Sequence, residues 1–276
     1  MASYPLNHRV VLGGLARNCA DYLPACLAWL REAYRFFHPE SKFLFITNDS
    51  TDTTPAILDE FAASFPSGIV KIYKLDGLQS KKPSRTDRLA FCRNMFLNHI
   101  QSNHPDYDYM LLADLDDTTA NFDPQRIRTC FDVSQTPAQW DALTAAAKPA
   151  YYDIWALRSS HLGLTYDCWD AIRHEMRKGL TQTQAIQKHI DVWRIPHETM
   201  TEPMEVESAF GGVGIYRISS TRGCQYRGIA TECSLGEPAP YCLREICEHV
   251  PFHQQMRERN GARIWIFPPL YVTPLK

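Results

Sequence analysis

The chain has 276 residues, long enough for one α/β domain, a class that often runs to ~200–250 residues. Hydrophobic residues make up 45% and charged residues 22%, which excludes a disordered or collagen-like chain; a net charge of -2 gives no global reason to expect nucleic acid or an acidic partner. No apolar run approaches the ~18 residues of a membrane span, and the opening Met-Ala-Ser-Tyr-Pro-Leu-Asn-His-Arg lacks a signal-peptide core.

The elements follow in order. Val10-Val11-Leu12-Gly13-Gly14-Leu15-Ala16 reads as a buried strand opening into a glycine-containing turn, with Arg17-Asn18 after it. The Gly13-Gly14 pair lacks the third glycine of a dinucleotide fingerprint. Leu23, Leu27 and Leu30 predict a helix between Asp21 and Phe37, with Pro24 in its first turn. Phe43 to Thr47 is a second strand. It ends in Asn48-Asp49-Ser50-Thr51-Asp52-Thr53-Thr54, where Asp52 or Thr54 can cap the helix Pro55–Ala63 and Asp49, nearest the strand end, can instead accept hydrogen bonds from a nucleotide's base or ribose. Ile69 to Tyr73 is a third strand.

Arg85, Arg88 and Arg93 then gather on a helix whose apolar face is Leu89, Cys92 and Phe96. Cations near a helix N-terminus oppose its dipole, so either a solvated face or an anionic ligand accounts for them. The next strand, Tyr109-Met110-Leu111-Leu112-Ala113, ends abruptly in Asp114-Leu115-Asp116-Asp117. In open α/β sheets ligands bind beyond the strands' carboxyl ends, so Asp114 and Asp116 stand where a hard cation and a phosphorylated ligand can meet. Capping of the following turn is the competing reading.

Four strands alternating with helices over residues 10–117 predict βαβ units and a parallel sheet. Further on, a short helix runs from Asp123-Pro124 to Phe131, and Trp140 to Ala146 reads as another strand. Tyr151 to Arg158 is strand-like and aromatic, and Trp169 to Lys188 is helical with Gly179 breaking it. Gly211, Gly212 and Gly214 lie beside an apolar strand, where glycine permits either a tight bulge or close approach of a ligand. Cys247-Glu248-His249-Val250-Pro251-Phe252-His253 precedes a basic helix to Arg259, and Arg263 to Phe267 is a closing strand before Pro268-Pro269.

The order of these features resembles the GT-A fold glycosyltransferases, the nucleotide-diphospho-sugar transferases, over about residues 10 to 268. The matching pieces are Leu15-Ala16-Arg17-Asn18, the Asn48–Thr54 loop, the Arg85–Asn94 helix, Asp114-Leu115-Asp116 as a DXD motif, Phe210–Arg217, and Cys247-Glu248-His249. The last two resemble the acceptor-side strand and the Glu-Asp motif of family-two-like enzymes. Tyr152 to Arg158 also looks like a segment of the capsule-associated mannosyltransferases of fungi.

The resemblance implies a single three-layer α/β/α domain with a mostly parallel, Rossmann-like sheet. Residues 8–117 would bind nucleotide-sugar and residues 118–276 the acceptor. It implies a metal-dependent glycosyltransferase of polysaccharide biosynthesis, acting on a glycan or lipid-linked acceptor, with Mn²⁺ or Mg²⁺ as cofactor. Ala16, Arg17, Asn18, Asp49, Arg85, Arg88, Asp114 and Asp116 would bind the donor. Asp114, Asp116 and, in place of the motif's second acid, His249 would bind the metal. Glu248 would be the base of an inverting reaction, and Asp153, Trp155, Glu207, Gly211 and Gly212 would face the acceptor. Glu205 is a further acid for the base role.

The rivals are a nucleotidyltransferase, a non-catalytic sugar-nucleotide binding module, and a structural zinc site from Cys242, Cys247, His249 and His253. A zinc peptidase is excluded because His197-Glu198-Thr199-Met200-Thr201 lacks the second histidine. Nine scattered cysteines, an odd number, read as reduced thiols of a cytoplasmic protein, with contact to a membrane surface left open.

Overall fold

The computed structural model describes residues 6–230 and 245–275. Its centre is one eight-stranded sheet: β1 (Val10–Ala16), β2 (Lys42–Asn48), β3 (Val70–Leu75), β4 (Tyr109–Asp114), β5 (Ala142–Ala147), β6 (Met204–Val206), β7 (Val213–Arg217) and β8 (Ile264–Val272). The spatial order is β3-β2-β1-β4-β7-β5-β8-β6. β1, β2, β3 and β4 pair in parallel, as do β5 and β8. β7 runs antiparallel between β4 and β5, and β6 antiparallel along β8. The strands of residues 8–117 thus lie side by side in one half of the sheet and the later strands fill the other.

Among the described residues the α-helices are α1 (Leu23–Tyr34), α2 (Thr54–Ala63), α3 (Leu78–Lys81), α4 (Arg85–Asn103), α5 (Gln125–Thr129), α6 (Cys168–Arg177), α7 (Gln182–His189) and α8 (His249–Asn260). Alternate strand residues point to opposite faces, and the core divides accordingly. Val10, Leu12, Phe43, Phe45 and Leu111 pack with Leu27, Leu30, Phe61 and Ile127 of α1, α2 and α5. Val11, Leu44, Ile46, Met110 and Leu112 pack with Phe96 and Ile100 of α4 and Phe252 and Met256 of α8. This is the expected three-layer α/β/α arrangement.

Three readings of the chain need correction. Gly13 and Gly14 are not a turn: β1 runs through them to Ala16. A Cβ at Gly13 would stand 1.8 Å from the Leu44 carbonyl oxygen, and one at Gly14 2.0 Å from that of Ala113. Glycine here lets β1 pass close to both neighbours. Tyr151 to Arg158 forms no strand; it is a turn-rich segment touching strand geometry only at Arg158, which bridges Ser208. Its apolar composition is explained by burial, since Tyr151, Ile154, Ala156 and Leu157 all lie in the core. The closing strand does not stop at Pro268. β8 continues to Val272 past a register shift that sets Phe267 opposite Ala145 but Tyr271 opposite Ala146, an irregularity of the kind that accommodates proline.

Candidate active site

Local chemistry places each wall of the main cleft. β4 delivers Asp114 and Asp116 because an apolar strand buried on both faces cannot carry charge until it leaves the sheet. The Thr118 N–H then donates to Asp116 Oδ1 at 3.0 Å, and the Asp114 N–H to the Gly212 carbonyl at 2.8 Å. α4 begins at the Ser84 cap, whose hydroxyl accepts from the Asp87 N–H. Its first turns carry Arg85 and Arg88, and its buried face carries Arg93. α8 starts one residue after Glu248. Pro251 sits in its first turn, where a missing N–H costs nothing, so His249 and His253 share a face.

These elements enclose a cleft of ≈ 320 Å³ lined by Ala16, Arg17, Asn48, Arg85, Arg88, Arg93, Asp114, Asp116, Asp153, Trp155, Phe210, Glu248 and His249, among others. Four carboxylates and four arginines thus line the cleft, and Arg93 bonds two of the acids. Arg93 Nε donates to Glu248 Oε1 at 2.8 Å and Nη2 to Asp114 Oδ1 at 3.3 Å. Burial pushes the Asp114 carboxyl up to about 7 against the pull of Arg93, and Asp116, Asp153 and Glu248 push it the same way. Asp114 is nevertheless 35% exposed, so one side of it remains open to solvent or a ligand. Burial also raises Asp153, although the Gly211 N–H donates to its Oδ2 at 3.1 Å.

His249 is stacked on Phe210 with ring centroids 4.0 Å apart. Neither of its ring nitrogens meets a hydrogen-bond partner among the described residues, although both are buried. Burial and then Arg93 hold its pKa well below the ordinary value, so it is a neutral donor of lone pairs. Two acids at a strand tip and an imidazole with no hydrogen-bond partner among the described residues suit a hard or borderline divalent cation. Among the described residues no group of three His, Cys, Asp or Glu side chains is assembled to hold an ion alone. Asp114 and Asp116 therefore fit Mn²⁺ or Mg²⁺ in the way Mg²⁺ usually binds, with one or two carboxylates and ligand phosphates.

No family profile matches the chain, and no curated protein matches it. Solved structures do. A mannosyltransferase from Pyrobaculum calidifontis, in complex with GDP-Man and Mn²⁺, aligns over 97% of this chain and 57% of its own at 11% identity, with a TM-score of 0.52. The chain has the GT-A fold. Two further GT-A structures align less closely. TarS 1-349 from S. aureus covers 96% of this chain and 59% of its own, at 14% identity and a TM-score of 0.47. Mannosyl-3-phosphoglycerate synthase from Rubrobacter xylanophilus covers 78% and 55%, at 13% and 0.40. The chain spans less than three fifths of the length of each.

Within this GT-A fold the cleft brings together ten of the residues singled out above: Ala16, Arg17, Arg85, Arg88, Asp114, Asp116, Asp153, Trp155, Glu248 and His249. Six others do not line it. Asn18 builds the first loop: its Oδ1 accepts from the Thr51 N–H at 2.8 Å, and its φ of 49° is one that Asn tolerates. Asp49 accepts from the Gly77 and Gln79 N–H groups, each at 2.7 Å, leaving its neighbour Asn48 on the cleft wall.

Gly211 and Gly212 have φ of 67° and 89° in the turn before β7, and a Cβ on Gly211 would meet the Ala145 carbonyl oxygen at 2.2 Å, so backbone geometry and close packing account for them. Glu207 accepts from the Ser160 N–H at 2.8 Å, and Glu205 pairs with Arg263 at 2.6 Å on the surface.

For the zinc reading, Cys242 lies outside the described residues. His253 has both nitrogens engaged, by Ser208 Oγ at 2.9 Å and Tyr216 Oη at 3.1 Å. In the sequence Arg93 stands only as one of three cations of α4, and Phe210 only as the start of the Phe210–Arg217 piece; neither has a site role of its own. Arg93 carried a signal, being the one arginine of α4 beside the apolar positions Cys92 and Phe96; Phe210 carried none.

Proposed function

We propose that the chain is a metal-dependent glycosyltransferase that moves a sugar from a nucleotide-diphospho-sugar to a hydroxyl of a glycan or lipid-linked acceptor, with inversion at the anomeric carbon. The observation that carries this reading is the acidic corner Asp114–Asp116, set at the carboxyl end of β4 in a cleft lined by four carboxylates and four arginines. A similar fold holds GDP-Man and Mn²⁺ in the Pyrobaculum calidifontis mannosyltransferase. A divalent ion at this corner would neutralise charge on the departing diphosphate.

The rest falls to the chain's own side chains. Arg17 and Arg85, both exposed at the cleft rim, and Arg88 behind them receive the diphosphate with planar donor forks. Arg88 is itself oriented, its Nη1 donating to the Lys82 and Pro83 carbonyls at 2.8 and 2.6 Å. Ala16 leaves room for the donor, and Asn48 offers a carboxamide to the nucleoside. Glu248 takes the acceptor hydroxyl proton as the oxygen forms its bond to the anomeric carbon; the bond from that carbon to the phosphate oxygen breaks, and the electron pair leaves with the nucleoside diphosphate. Asp153 and Trp155 border the acceptor side. Residues 8–117 form the donor half and 118–276 the acceptor half of one domain.

A cytoplasmic place and a role in polysaccharide biosynthesis complete the proposal. The seven described cysteines, all free and buried, support the first. No described helix is long and apolar enough to cross a membrane.

The test is a screen for nucleoside diphosphate release from UDP- and GDP-sugars, and nucleoside monophosphate from CMP-sugars, with and without Mn²⁺. Metal-dependent release from one donor class is expected. Glu248→Gln should bind that donor as tightly as the parent and lose transfer by about 10²–10⁴-fold. Persistent transfer would put the base elsewhere, with Asp153 next in line.

A further inference from the structure

One planar group stands between the two acids on which this reaction depends. Arg93 comes from the middle of α4, Asp114 from the tip of β4 and Glu248 from the residue before α8. The guanidinium bonds to both acids, through Nη2 to Asp114 and Nε to Glu248. Its side chain is 5% exposed, and its guanidinium carbon lies over the rings of Phe210 and Tyr226, 5.1 and 5.9 Å from their centroids. Its third nitrogen, Nη1, is buried without a partner among the described residues.

Packing does not require a charge at this place. The same face of α4 carries Cys92, Phe96, Leu97 and Ile100, all in the apolar core. Attraction in a buried ion pair is largely offset by the desolvation of its members, so a well-packed apolar triad would hold the fold as well. What an apolar side chain cannot do is fix two carboxylates at a set separation. Lysine would keep the charge but offers a compact ammonium in place of the fork.

We infer that Arg93 is a positioning residue: it holds the Glu248 carboxylate at a fixed distance from the donor corner at Asp114, so that the proton acceptor and the leaving group address one substrate from set places. This rests on the glycosyltransferase reading above, with Glu248 as base. A displacement of about 1 Å at such a site is enough to cost on the order of 10²-fold in rate.

The test compares the parent chain with Arg93→Lys, Arg93→Ala and the double variant Arg93→Lys/Glu248→Gln, using whichever donor and metal the parent turns over. Four quantities are measured: transfer kcat, donor KM, calorimetric affinity for the Mn²⁺–nucleoside diphosphate pair, and melting temperature. For Arg93→Lys we expect kcat to fall about 10²-fold. Donor KM and calorimetric affinity should stay within about threefold, and the melt should remain cooperative.

Guanidinium at millimolar concentration should restore part of the kcat of Arg93→Ala and none of that of Glu248→Gln. The double variant should be no slower than Glu248→Gln alone, because a base already removed gains nothing from being positioned. Several results overturn the inference: an Arg93→Lys chain that keeps kcat, losses that multiply in the double variant, or an affinity loss that accounts for the whole rate loss. Should Arg93→Lys not fold, the guanidinium experiment on Arg93→Ala decides in its place. If neither variant folds, the role is structural and the inference is overturned. A parent chain inert toward every donor sinks the glycosyltransferase reading and this inference together. An active parent with an indifferent Arg93 sinks only the inference.

Discussion

At the scale of single residues, Asp116 separates a functional carboxylate from a structural one. Its Oδ1 accepts the Thr118 N–H, a bond that an asparagine carbonyl keeps while the charge is lost. Asp116→Asn should therefore leave the denaturation midpoint within about 0.5 kcal/mol of the parent, as for an ordinary partly exposed substitution. Metal-dependent turnover should fall by about 10²-fold or more, the usual loss when charge stabilisation is removed from a transition state. Paired urea titration and donor turnover assays check this. A large drop in stability with unchanged turnover would make Asp116 a turn residue. Asp49 illustrates the opposite case: the same residue type just after β2, two strands over in the sheet, has both oxygens occupied by backbone N–H groups and serves loop geometry.

At the scale of elements, the wall that carries Trp155 hangs on one buried acid. Asp167 caps α6, its Oδ1 accepting from the Trp169 and Asp170 N–H groups at 2.9 and 3.2 Å. Its Oδ2 also accepts from Trp155 Nε1 at 2.9 Å and from Arg158 Nη2 at 3.3 Å. The turn-rich segment of residues 151–158, which has no strand ladder to hold it, is tied to α6 through this carboxylate. Asp167→Ala removes a helix cap, typically ~1 kcal/mol, and strands the buried Arg158, so a loss of about 3–5 kcal/mol is expected. The rise in acceptor KM should exceed the rise in donor KM, because Trp155 is released while the arginine rim is not. Denaturant titration and two-substrate kinetics measure the two effects separately.

At the scale of the whole molecule, the acidic corner of Asp114 and Asp116 should repel a diphosphate held by the arginine rim unless a cation stands between them. Mn²⁺ together with a nucleoside diphosphate should raise the melting temperature more than the two separate shifts added, and EDTA should reverse the rise. At a hundredfold excess over Kd the gain corresponds to about 2.7 kcal/mol. Equal shifts with and without metal, read by thermal scanning, would count against the acidic corner as an ion site.

Much of the fold was legible in the sequence because β1, β2 and β4 are buried on both faces and so read as unbroken apolar runs. The alternation of strands and helices then leaves few topologies. The Asp114–Asp116 corner was legible for the same reason, as charge at the abrupt end of such a run. What stayed hidden depends on contacts distant in sequence. Gly13 looks like a turn until the Leu44 carbonyl is seen beside it. Tyr151 to Arg158 has the composition of a strand, but its partner is a carboxylate on the next helix. Arg93 reads as one more surface charge until Glu248, 155 residues away, closes on it.

The thiols carry a consequence of their own. Cys19, Cys26, Cys92, Cys130, Cys168, Cys224 and Cys247 are buried and unlinked, distributed over the loop after β1, α1, α4, the end of α5, the start of α6 and the approaches to α8. Burial pushes Cys92 up to about 11 and Cys26 up to about 12, so neither ionises readily while the fold is closed. With Cys233 and Cys242, outside the described residues, replaced by serine, the folded chain should be nearly inert to an alkylating reagent. Each adduct that does form then timestamps the breathing of one neighbourhood, and peptide mapping would rank those neighbourhoods by how often they open.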